Sequence, residues 1–272
     1  MQYPSFHRIN SNIIAQTAIL GGFALFFICT VITGQIKQYI HPRLIPFVVF
    51  AIIAFLLMIF SVLKGAPNIN AKFSAKSYVI FVIPLIIALS VNPNAIKSAG
   101  LQFSGTKIVG LSPRKTSFST NSPCQTISLK HGQTAVYTTT PYGSKIMLVI
   151  TKNTITLDNE NYYAWFNELT MHPQKYKGTS IKMTGYVFKS GQDFKHNEFV
   201  VGQNLMWCCA ADLQLVGFLC QYDKTPQLKE NSWITVTGKL DTAVYQKDIY
   251  PVILKPSITS AAKPAEDYVY PE

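Results

Sequence analysis

No aspartate or glutamate occurs before Asp158: all 13 acids lie at or beyond it, whereas residues 1–157 hold 13 of the 24 lysines and arginines. The formal net charge of +11 therefore divides into +13 before Asp158 and −2 from it onward. A basic chain suggests nucleic acid, but this positive excess sits beside long uncharged runs, where anionic lipid headgroups attract it. The acid-bearing half has more acids than bases, which argues against nucleic acid as a partner. Charged residues are scarce overall, 14% against 48% hydrophobic, so the chain is poorly matched to water throughout.

Catalytic signatures are missing as well. The sequence has no GxGxxG, no phosphate-binding loop, no HExxH and no GxSxG elbow. His131, His172 and His196 are scattered and stand in no local arrangement with a nucleophile, so an enzyme is not expected. Five cysteines (Cys29, Cys124, Cys208, Cys209 and Cys220) are too few and too uneven for a disulfide-rich domain, and no CxxC or CxxxC spacing occurs.

What is present begins with apolar runs. Ile13 to Gly34 is almost uncharged over about 22 residues, which at 1.5 Å per residue matches the roughly 30 Å of bilayer hydrocarbon. It exceeds the apolar stretch of a cleaved signal peptide. Leu44 to Leu63 gives a second span, and the short Gln35 to Arg43 connector makes the two antiparallel neighbours. The third candidate, Tyr78 to Val91, has Pro84 inside and reaches spanning length only if extended to Phe73, with Lys76 snorkelling. Two or three spans therefore form an anchor over residues 1–96, with about 13–34, 44–63 and 73–91 as the segments. No Asp, Glu, Lys, Arg or His lies within the first two spans or the core of the third, which excludes an intramembrane proton or ion relay. Counting close, short loops places Arg8 and the Lys64 loop inside, and with three spans the C-terminal domain outside the cytoplasm. Ala18, Gly21, Gly22 and Leu25 form a face suited to close helix contact, or simply tolerated in lipid.

Residues 97–125, rich in Ser, Thr, Gly, Lys and Pro, read as a tether. Strand-like runs follow at Ala135 to Tyr137, Lys145 to Thr151 and Thr154 to Leu157, with Lys152-Asn153 as a turn. Asp158 to Leu169 predicts a short amphipathic helix capped at Asp158 or Asn159, its Tyr162, Trp165, Phe166 and Leu169 facing a core. Five further strands are expected at Ser180 to Lys189, Glu198 to Cys209, Val216 to Tyr222, Ser232 to Leu240 and Tyr250 to Lys255, with a long last connection. The expected fold is a membrane α-helical anchor plus a C-terminal all-β or α+β domain over residues 126–272. Within it, residues of about 176–260 read as an OB-like small barrel.

At KYKGTSIKMTGYVF, MWCCAADLQLVGF, WITVTGKL, the closing YVYP, and YIHP after the first span, the sequence resembles the YcgQ-like bacterial family. That family is described as subunits of two-component membrane permeases. The resemblance implies a separate multi-spanning permease partner, whose relatives are described as exporters of metalloid or organometalloid species. The expected function is then an accessory subunit whose soluble domain binds or gates substrate beside that partner. The alternative is a stand-alone membrane-tethered metal-handling protein.

Cys208, Cys209, Asp212 and Cys220 are the group whose chemistry could be specific, as ligands to a soft metal such as zinc. In a regular strand Cys208 and Cys209 would point to opposite faces, so both serve one site only if the backbone bends there. A turn centred near Gln214 would instead bring Cys208 opposite Cys220, for a disulfide or a shared metal. The competing reading is that the cysteines are small buried hydrophobes and Asp212 makes turn hydrogen bonds.

Overall fold

A computed structural model of the chain describes residues 11–64, 75–90, 126–128, 133–141, 143–189, 194–245 and 248–271. The tether expected at 97–125, together with Arg8, Cys124 and His131, lies outside the described residues. The chain falls into two units, Met1–Ala99 and Gly100–Glu272.

The first unit is helical because its apolar residues run without interruption by charge. Helix α1, Ser11–Ile32, is followed by α2, Ile45–Lys64. Both are long and apolar enough to cross a membrane. Gly34, with φ 71°, supplies the left-handed residue that stops α1. His41 starts the next turn by accepting the Arg43 N–H on Nδ1 at 3.1 Å, and Pro42 follows it at a position that needs no donor. The two helices meet through Phe55, stacked on Phe23 at 6.0 Å and on Phe27 at 6.2 Å. Helix α3, Ala75–Ser90, has 16 residues, or about 24 Å, and contains Pro84. It packs on α1 at Gly22, where an added Cβ would stand 2.7 Å from Leu85 Cδ2. The small-residue face thus divides: Gly22 is used inside the unit, whereas a Cβ at Gly21 meets nothing within 4 Å and Leu25 is 62% exposed.

The second unit is built on one mixed sheet of nine strands. In chain order these are β1 Thr126–Ser128, β2 Gln133–Thr139, β3 Lys145–Thr151, β4 Thr154–Leu157, β5 Ser180–Phe188, β6 Glu198–Leu205, β7 Gln214–Gln221, β8 Trp233–Tyr245 and β9 Asp248–Ser260. The sheet order is β1-β2-β3-β4-β5-β6-β7-β9-β8, and β8 also pairs with β5. The turn expected at Lys152-Asn153 is present, with φ of 48° and 55°, the paired positive values of a two-residue hairpin. The last connection, by contrast, is short. β8 and β9 pair from Tyr245↔Asp248 through to Ile234↔Ser260, because strand-forming residues continue on both sides of the turn.

Helix α4, Tyr162–Met171, crosses between the parallel strands β4 and β5. Its N-cap is Asn161 rather than Asp158 or Asn159. Asp158 and Asn161 exchange side-chain to backbone hydrogen bonds of 3.0 Å, so the chain turns once before the helix begins. Tyr162, Trp165, Phe166 and Leu169 are buried as their spacing requires, and Phe166 meets Phe218 of β7 at 5.6 Å. Glu168, also buried, accepts from Tyr176 Oη at 2.6 Å and Lys175 Nζ at 3.2 Å.

Glycines let three strands approach closely. A Cβ on Gly185 of β5 would lie 2.6 Å from the Gly202 carbonyl oxygen of β6. One on Gly217 of β7 would lie 2.6 Å from Gly202 Cα and closer still to the Val201 carbonyl oxygen. The obstructing atoms are backbone, so they cannot rotate away. Gly217→Ala should therefore destabilise the sheet by about 1–3 kcal/mol, the usual cost of overpacking. Urea unfolding of the detergent-solubilised chain, followed by the β-sheet circular dichroism signal, measures this; Gly21→Ala should leave that transition unmoved.

Candidate functional site

β6 leaves its ladder at Leu205, four residues earlier than the sequence suggests. The chain then has to satisfy backbone donors that no longer face a strand. Met206 N–H donates to the Val269 carbonyl at 3.1 Å, and Val269 N–H returns to Asn204 O at 2.9 Å. The C-terminal YVYP segment thereby binds beside the end of β6, its Tyr268 buried with Met206 and Leu213. The next three donors converge on one side chain. Asp212 Oδ1 accepts from Trp207 N–H at 3.0 Å, and Oδ2 accepts from Cys208 N–H at 2.7 Å and Cys209 N–H at 3.3 Å.

This carboxylate curls the segment into a loop closed by the short turn Ala210–Asp212, whose last N–H bonds the Cys209 carbonyl at 3.0 Å. Cys209 and Asp212 form a reciprocal cap, each side chain accepting the other's backbone N–H. Trp207 is held edge-to-face against Tyr163 of α4 at 5.6 Å, which fixes the loop to the core from its other end.

The alternation argument for Cys208 and Cys209 therefore does not apply, since neither lies in a strand. Their Sγ atoms are 3.6 Å apart, and with an Asp212 oxygen the ligand atoms all lie within 4.8 Å of one another. Cys208 is exposed; Cys209 and Asp212 are half-buried. No other group of three or more such side chains occurs among the described residues.

Cys220 is not a member. The β6–β7 register sets it opposite Phe199, six pairs from the Leu205↔Gln214 end and so about 20 Å along the ladder. It is fully buried, near the Phe218 carbonyl at 3.8 Å, and burial pushes its thiol pKa up. A Cys208–Cys220 disulfide or shared metal is thus excluded by the ladder, and Cys220 is a core residue. The four described cysteines are free thiols. Of the histidines, His172 follows α4 as its C-cap and His196 is exposed; neither joins the cluster.

The Cys208 thiol is pushed up to about 12, first by its hydrogen bond to Asp212 and then by that to Cys209. A donor to a carboxylate holds its proton, so Cys208 is a poor nucleophile although exposed. Replacing Asp212 by Asn removes the charge and keeps one acceptor oxygen. Alkylation of Cys208 at pH 8, read by peptide mass spectrometry, should then accelerate by about tenfold or more, since each unit of lowered pKa multiplies the thiolate tenfold. An unchanged rate would show that Asp212 does not set its protonation.

Against known families, residues 136–271 match the DUF1980 C-terminal domain and residues 15–107 the DUF1980 N-terminal domain. Among curated proteins, the chain is 23% identical over 204 residues to the UPF0703 protein YcgQ of Bacillus subtilis (strain 168). That alignment covers 71% of this chain and 67% of the relative.

Proposed function

The chain belongs to the DUF1980 family, and we propose that it is the accessory subunit of a membrane permease, a multi-pass anchor carrying a binding domain beside a multi-spanning partner. The observation that carries this reading is the chemistry of the helices. α1 contains no Asp, Glu, Lys, Arg or His, and α2 has none before Lys64 at its end. An ion or polar solute crossing hydrocarbon needs polar groups along its path, so such helices anchor and dock but do not conduct alone. All of the acids, and the clustered thiols, belong to the domain that follows them.

Pairings that run from β5 through β6, β7, β9 and β8 back to β5 support an OB-like barrel as the substrate-facing element. In the sequence, Arg8, Lys64, Lys72 and Lys76 outnumber the Lys37 and Arg43 of the α1–α2 connector, which supports an orientation with Lys64 inside and, with α3 as a third short span, the β domain outside the cytoplasm. The outward pair Gly21 and Leu25, one helical turn apart, offers the partner a close-approach face. The alternative, a tethered metal-handling protein acting alone, draws on the Cys208–Cys209–Asp212 cluster.

Affinity purification of the tagged chain in mild detergent should recover a multi-spanning protein in comparable amount. Gly21→Leu should reduce that recovery several-fold while the chain stays in the membrane fraction. A chain that purifies alone under these conditions, or recovery indifferent to Gly21→Leu, removes the subunit reading or this face respectively. Sidedness is checked with a membrane-impermeant thiol reagent on cells carrying a chain whose native cysteines are serine. A cysteine placed at Asp223 should label and one placed at Lys64 should not; the reverse pattern inverts the topology.

A further inference from the structure

We infer that Cys208, Cys209 and Asp212 form an exchange site for a soft or borderline divalent cation of the zinc type, with two thiolates and Asp212 Oδ1 as ligands and the fourth position open. This goes beyond the subunit reading and stands on the β domain's own residues.

The sulfur separation argues for the ion and its geometry. Two thiolates at about 2.3 Å from a tetrahedral ion stand about 3.8 Å apart. The Sγ atoms are already at 3.6 Å. Opposed thiolates in two-coordinate geometry would need about 4.6 Å at the same bond length, and the loop would have to open to provide it. Hard ions are disfavoured by the donor set, since magnesium and calcium require mostly oxygen ligands.

The carboxylate has capacity left for the metal. Of the backbone donors, Oδ2 takes the Cys208 and Cys209 N–H groups and Oδ1 takes that of Trp207, and the carboxylate's further hydrogen bond, from the Cys208 thiol, is given up when that thiol loses its proton to a metal. Asp212 is therefore both the group that shapes the loop and a third ligand, and the ion enters a loop already folded by backbone hydrogen bonds. Each thiol gives its proton to solvent as its sulfur–metal bond forms, leaving a divalent ion balanced by two thiolates and one carboxylate with net charge −1. No electron is transferred. Exposure of Cys208 leaves one side of the ion open, and three protein ligands with an accessible fourth position are the pattern of sites that exchange ligands, in contrast to closed four-ligand structural sites.

The test uses the full-length chain in mild detergent, reduced and stripped with a chelator, then titrated with Co²⁺ alone. One equivalent should bind with a thiolate-to-cobalt charge-transfer band of two-thiolate intensity, and Zn²⁺ should bleach it. Cys208→Ser and Cys209→Ser should each weaken binding by at least about 100-fold, the upper end of what outer partners alone account for. Cys29→Ser should leave it unchanged. In the unaltered chain, Zn²⁺ should also protect Cys208 and Cys209 from alkylation without protecting Cys29, a readout that needs no variant to fold. Absence of stoichiometric uptake by the reduced chain, or a band that survives in the Cys208→Ser/Cys209→Ser double variant, overturns the site. Neither result depends on a permease partner, so failure here and failure of co-purification are separate outcomes.

Discussion

A backbone N–H that leaves its ladder must find another acceptor, and at the end of β6 this requirement shapes everything around the cysteines. Four consecutive donors, from Met206 to Cys209, are released together when the strand stops at Leu205. The first is taken by the C-terminal segment and the other three by Asp212. Leaving even one buried donor unmet costs about 1–3 kcal/mol, so the loop has little freedom to adopt another path. The juxtaposed thiols follow from that solution: with three N–H groups drawn to one carboxylate, neighbouring side chains cannot alternate as they would in a pleat. The same requirement governs the other unit. α1 and α2, long and apolar enough to cross a membrane, satisfy their backbone internally, which hydrocarbon would require of them.

Features carried by local spacing were legible in the sequence. Lys152-Asn153 reads as a hairpin because two adjacent residues must take positive φ, and the aromatic stripe from Tyr162 to Leu169 reads as a buried helix face because its period is helical. Both apolar helices were visible by length and composition alone. The β strands were placed within about five residues, β2, β8 and β9 being read too short and β6 too long. Apolar residues continue past the end of β6, where Met206 and Trp207 are buried or half-buried by the tail and by Tyr163. Burial of that kind has the same sequence signature as a strand, so the reading ran on to Cys209.

The remaining features depend on contacts between distant residues, which spacing cannot reveal. Val269 lies 64 positions from Leu205 yet bridges it, and nothing near the cysteines announces that a C-terminal YVYP supports them. The separation of Cys220 from the site was likewise undecidable from sequence. It depends on whether β7 begins at Gln214 and pairs back to Glu198, a register that puts Phe199 opposite the thiol. Asp212 was legible as a turn former but not as the acceptor of three consecutive amides. For that, the cap at Cys209 must use a sulfur where serine or threonine is the usual choice.

The distribution of acids then acquires a physical sense. A chain with no carboxylate before Asp158 confines carboxylate chemistry to its β domain, and of the described acids there Asp212 is the one set beside two thiols. Its charge disfavours the Cys208 thiolate, which protects an exposed thiol from alkylation and from the oxidation that begins with a thiolate. A cation would reverse this balance, because ligand atoms within 4.8 Å of one another, whose negative charges would otherwise repel, share the positive ion between them. The group that keeps the site chemically quiet when empty is therefore the one that favours a cation when it arrives. This dual effect needs Asp212 to be both charged and fixed, and its three amide bonds supply the second condition.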